Sequence, residues 1–228
     1  MPSHRAAPAI DGEAMYQRIP ALVLMVAGLL AMAVMILHPH ASGADPQVRL
    51  QSLATISSLS LHVHLAMIVL LLAQTLALAW VARIWADSGW VWLALRLYAL
   101  GACAMLGAAL INGFVVAAYL RHAHVGTATP EVAWPAVWLA FAGNQALAGF
   151  GTVLMSLAIA GWSLPLLRAR GRWAKVCGGY GLLAGPACLL AFAGGWLSLD
   201  VTGMTWVVVA QGGWMCLLAT CLLVEDAP

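Results

Sequence analysis

Six separate stretches of this chain stay apolar for about twenty residues or more, and that repetition restricts the possible folds more than any other feature. About 20 apolar residues at 1.5 Å each cross a hydrocarbon layer of about 30 Å, whereas the apolar stripe of a soluble helix is broken by polar positions. The runs extend from about Ile19 to His38, from Leu61 to Val81, from Trp92 to Tyr119, from just after Thr129-Pro130 to before Arg168, from Lys175 to near Trp196, and from Gly203 to Val224. Hydrophobic residues make up 64% of the chain and charged residues 8%, against roughly 45–50% and 25% in a soluble domain. In lipid only helices and closed barrels satisfy their own backbone, and these runs lack the alternation of barrel strands.

The sequence therefore predicts an all-α, polytopic membrane protein, a six-transmembrane-helix bundle. Its expected organisation is a polar N-terminal tail over 1–18, one transmembrane domain over 19–224 and a short tail over 225–228. The first run follows a long polar leader and exceeds the roughly 7–15 residues of a signal-peptide core, so it is expected to be a true span.

Basic residues set the expected orientation. Arg5, Arg18, Arg83, Arg96, Arg168, Arg170, Arg172 and Lys175 fall on the side of the N-terminus, and only Arg49 and Arg121 on the other. By the positive-inside rule both termini are expected to be cytoplasmic, in a bacterial-type inner membrane. The net charge of +2 is then explained by topology, and no nucleic-acid partner is expected. Trp80, Trp85, Trp90, Trp92 and Trp173 on one face, with Trp134 and Trp196 on the other, fit two aromatic belts. Cys103, Cys177, Cys188, Cys216 and Cys221 lie in or beside spans and read as packing residues. GFGTVL and CGGYGLLAG, with Gly101 and Gly107, suit close helix approach.

Chemistry is suggested by the histidines. Six of the seven form three His-x-His pairs: His38 and His40 ending the first run, His62 and His64 starting the second, and His122 and His124 ending the third. All three pairs are expected at the outer face. Independent placement of seven histidines would give only about one-fifth of one such pair, which argues for clustering of the metal-binding kind.

Geometry limits each pair. Residues two apart on a helix point about 200° from one another, so only one of His62 and His64 is expected to face the bundle. Pro39 forces an extended turn in which His38 and His40 can share a side. His122 and His124 follow an apolar helix end that is expected to fray.

Imidazole suits zinc, copper, nickel and iron, and a site needs three or four donors. The expected ligands are His38, His40, His64 and His122, with His62 and His124 as substitutes. Asn112, Asn144, Gln145, Asp200 and Gln211 are expected nearby, to orient those ligands or touch a substrate. Copper or zinc is the expected cofactor, and the scarcity of carboxylates for general-base work leans toward copper.

Three other readings stand beside this one. Two histidines on neighbouring spans can hold a b-type haem. A small transporter is a second possibility, although its site would be expected nearer the bilayer midplane. The third is an accessory subunit, partnered by another membrane protein or by its own copies in the lipid bilayer. The plainest reading of any single histidine is an amphipathic residue at the interface. No CxxCH, GxGxxG, P-loop or HExxH sequence occurs to point elsewhere.

Overall fold

In a computed structural model, residues 10–85, 88–122 and 130–225 are described, without the side chains of 10–17 and 130. The elements are α1 (Ile10–Ile36), α2 (Pro46–Ile84), α3 (Gly89–Leu110), a π-helical turn (Ile111–Val115), α4 (Val116–His122), α5 (Pro130–Arg168), α6 (Arg172–Ala193) and α7 (Val201–Val224). Since α3, the π turn and α4 run on without a break, the described residues contain six helices long and apolar enough to cross a membrane. Such a chain is a multi-pass membrane protein in contact with the lipid bilayer.

Neighbours in sequence are neighbours in space. Each long helix packs on the next, α7 returns to α1, and α5 touches α2 and α7 only sparingly across the middle. The result is a ring of six helices.

The ring closes where glycines let backbones approach. Between α3 and α5 a Cβ on Gly101 would lie 3.0 Å from the Gly151 carbonyl oxygen, and one on Gly151 would lie 2.9 Å from that of Gly101. Gly28 and Gly212 form the same reciprocal pair between α1 and α7, at 3.3 Å each way. Gly178, Gly181 and Gly185 align one face of α6 against Ser156 and Ser163 of α5. Without a hydrophobic drive between helices in lipid, such close packing supplies much of the cohesion.

The filling is uneven along the ring. At the end carrying Arg83 and Arg168, one continuous core gathers Leu24, Leu78, Val81, Val91, Tyr98, Ile159, Leu218 and the three indoles Trp85, Trp162 and Trp214. Trp85 was expected in an interfacial belt, but it is 8% exposed and its ring lies 5.7 Å from that of Trp162. At the other end only two smaller clusters form, one around Met35, Ala108, Leu199 and Met204, the other around Leu50, Leu120 and Val137. That end is hollow.

The basic end also carries a polar latch. Gly171 caps α6 with no side chain of its own, and the Glu225 carboxylate fills the role by accepting from the amides of Trp173 at 2.7 Å and Ala174 at 3.1 Å. A Cβ at position 171 would overlap that carboxylate. Replacing Glu225 by alanine is expected to cost about 1 kcal/mol, as lost N-caps do, and to lower the melting temperature in detergent, with Glu225→Gln losing less.

The second span departs furthest from the boundaries expected. The second was expected from Leu61, yet α2 begins at Pro46 and continues for 39 residues, about 58 Å at the helical rise. Its start is fixed by Asp45, whose carboxylate accepts from the amides of Gln47 and Val48, followed by proline at the first position. His62 and His64 therefore sit more than four turns inside a helix rather than at its beginning.

Candidate functional site: a histidine-necked cup

The hollow end of the ring is a cavity of about 560 Å³, lined from α1, α2, α3, the π turn, α4, α5 and α7. Its polar lining includes His38, His40, Ser57, Ser60, His64, Gln74, Asn112, Asn144, Gln145, Asp200 and Gln211. All five of the amide and carboxylate residues singled out by their similar depth thus line one cavity.

The histidines divide. His64 is 5% exposed, and His38 meets it edge to face with ring centroids 5.0 Å apart. His40 lines the cavity but is otherwise exposed. His62 is exposed and its Nδ1 donates to the Ser58 carbonyl at 2.7 Å. His122 remains helical and exposed, with Nδ1 donating to the Ala118 carbonyl at 2.8 Å, and does not line the cavity. His124 lies outside the described residues.

The expected ligand set of His38, His40, His64 and His122 is therefore not brought together among the described residues. Among the described residues no three His, Cys, Asp or Glu side chains come together. The cause is helix phase: His62 and His122 each sit on a regular helix, bonded one turn back and turned away from the ring. Sequence geometry had required that of one member of the 62/64 pair.

His64 is positioned by an unusual piece of backbone. A π turn at Ile111–Val115 inserts into the third span, and Gly113 within it faces His64 so closely that a Cβ there would overlap the His64 Cβ. Such π turns interrupt helices most often at functional sites. The same turn carries Asn112, whose Nδ2 lies 3.2 Å from His64 Nε2.

These partners fix the proton on the ring. His64 Nδ1 lies 2.7 Å from the Ser60 carbonyl oxygen, which can only accept, so Nδ1 carries the hydrogen. Nε2 then presents a lone pair, and Asn112 donates to it. An imidazole held by a backbone carbonyl through one nitrogen, with the other nitrogen facing a cavity, is the arrangement in which histidine ligates metals. Since the i−4 bond also occurs at His62 and His122, only the cavity and Asn112 distinguish His64.

His38 follows the end of α1, with its amide bonded to the Met35 carbonyl at 3.2 Å and its Nδ1 donating to the Pro39 carbonyl at 2.8 Å. Its pKa is lowered, first by burial, against the opposing Pro39 bond and with help from nearby His40. With Nδ1 donating to the Pro39 carbonyl, the neutral ring leaves Nε2 as an acceptor. The loop bearing it is tied down onto α2 by the Ser42 amide donating to Ser52 Oγ at 3.1 Å and by Arg49 donating to the Gly43 carbonyl at 3.2 Å.

Other polar residues are already occupied. Gln145 Nε2 donates to the Leu199 carbonyl at 2.9 Å, pinning α5 to the segment before α7. Asp200 caps α7, accepting from the Gly203 amide and from Ser198 Oγ, and these bonds hold its carboxyl below the usual range. Gln74 accepts from the Tyr98 hydroxyl at 3.3 Å at the cavity floor. Gln211 is different: its Nε2 is buried without a partner and stands ready to donate to a ligand.

Asn112 competes with any cation for the His64 lone pair. Replacing Asn112 by alanine is therefore expected to act in two directions, lowering the stability of the metal-free protein by about 1 kcal/mol and tightening metal binding by about fivefold. Chemical unfolding and a metal titration on the same preparation read both effects. Comparison with known proteins finds no matching family model, no matching curated protein and no matching solved structure, so the site is interpreted from its own geometry.

Proposed function

We propose that this chain is a multi-pass protein of a bacterial-type inner membrane that binds a transition metal through His38 and His64 at the neck of a cup open to the outer side. The observation that carries the reading is the meeting of these two imidazoles, brought from separate helices to 5.0 Å, with Nε2 of His64 directed by Asn112 and the π turn. Its test is elemental analysis of protein purified without a histidine tag. About one equivalent of copper or zinc per chain, lost in His38→Ala/His64→Ala, supports the reading; no metal after reconstitution rejects it.

Orientation is part of the proposal. Arg83, Arg168, Arg170, Arg172 and Lys175 cluster at the end opposite the cup, which supports a cytoplasmic location for that end and for both termini. A membrane-impermeant maleimide applied to intact cells is expected to label Ser42→Cys and to leave Arg170→Cys unlabelled. The reverse pattern would invert the topology.

The same geometry weighs against haem between these histidines, because rings in edge contact leave no gap for a macrocycle and would first have to part. A second reading has its own observation. The cavity volume falls within the roughly 300–1,000 Å³ of small-molecule sites, and Gln211 offers an unpaired donor to an organic amphiphile. A co-purifying organic molecule in place of metal, detected by mass spectrometry, would favour that alternative and a carrier or accessory role.

A further inference from the structure

Two histidines are fewer donors than a zinc or copper(II) site requires, and the cavity wall shows what else is on offer. Of the chain's ten methionines, five line the cup: Met35, Met67, Met105, Met155 and Met204. They come from five different helices. Methionine is a common filler of irregular apolar space, and for Met155, deep in the main core, that role is sufficient.

Met35 and Met67 are placed differently. Met35 lies in the last turn of α1, three residues before His38, and Met67 follows His64 by three within α2, a spacing that keeps the second pair on one side of its helix. Both methionines belong to one packed cluster beside the cavity, together with Met105 and Met204. Two imidazoles and two thioethers from α1, the loop after it and α2 thus line the same cavity.

We propose that the cup is a copper(I) site in which His38 and His64 supply nitrogen and Met35 and Met67 supply sulfur. This rests on the reading of the cup as a metal site and adds the ion and the further ligands. Charge decides the oxidation state. Among the described residues no Lys, Arg or Glu lines the cavity, and the one carboxylate there, Asp200, is exposed at the rim and engaged as the cap of α7. A divalent ion held by four neutral donors would bring two uncompensated charges into an apolar surround; a monovalent ion brings one. Thioether sulfur, moreover, is a soft ligand that selects copper(I) over zinc. His40 and Asp200 line the way in and are placed to pass the ion inward.

The test is an anaerobic copper(I) titration of the tag-free protein against a chromophoric chelator, followed by X-ray absorption at the copper edge. One ion per chain is expected, with both nitrogen and sulfur in the coordination sphere and with no displacement by equimolar zinc. Met35→Leu/Met67→Leu keeps volume nearly constant and should preserve the melting temperature, while removing the sulfur signal and weakening binding by about tenfold or more. Copper bound with no sulfur neighbours, unchanged in the leucine variant, or displaced by zinc would overturn the methionine ligands and leave the histidine site standing. Absence of any bound metal would overturn both.

Discussion

Alanine at position 64 is expected to abolish metal binding, with affinity falling on the order of 100-fold or more, while alanine at position 62 leaves it unchanged. The two histidines are equivalent in the sequence LHVHLAM, and only helix phase separates them. His64 is buried at the neck, against His38 and Asn112, whereas His62 is exposed and bonds only its own helix. Loss of the exposed ring should alter stability by no more than about 0.5 kcal/mol, as for most surface substitutions. Isothermal titration of the two single variants provides the comparison. Equal losses would mean that the metal sits outside the cup.

The second large effect is expected at Gly113. An added Cβ overlaps both Cβ and Cγ of His64, groups held near the backbone, so the contact cannot be relieved by swinging a flexible side chain away. Either the π turn or α2 must shift. Overpacking of this kind costs about 1–3 kcal/mol, and the displaced imidazole should no longer face His38 across the neck and should lose most of the metal affinity. A double-mutant cycle isolates the cause. Gly113→Ala should be far less destabilising in a His64→Gly background, where both overlapped atoms are gone, with a coupling of about 1 kcal/mol or more. Additive effects would show that Gly113 serves the backbone of the π turn alone.

The fold was legible where bilayer physics dictates it. Span number and ring-forming helices follow from six apolar runs, because a run of that length has few other ways to satisfy its backbone. Residues 46–60 were missed as helix because Ser and Thr make the segment polar, and hydropathy reports burial in lipid rather than helicity. A usable signal was present in Asp45-Pro46, an N-cap followed by proline.

The site was legible only in part. Polar residues in spans are costly, which is why Asn112, Asn144, Gln145 and Gln211 stand out in the sequence, and all four line the cavity. Counting His-x-His pairs overstated the cluster, since a spacing of two on a regular helix sends alternate rings to opposite sides. The π turn left no mark in the sequence, and the approach of Asn112 to His64 spans 48 positions. The methionines were hidden for another reason: in an apolar span a thioether ligand and a core residue look alike until a histidine is seen beside it.

The central claim is that His38 and His64 together receive a metal at the neck of the cup. Anomalous diffraction at the copper edge, from crystals of tag-free protein grown with copper(I) under reducing conditions, tests it most directly. The account predicts one strong peak inside the cup within about 2 Å of His64 Nε2, with His38 turned toward the same point. A peak confined to the exposed rings of His62 or His122, or a cup filled by an organic molecule with no metal peak, would contradict it.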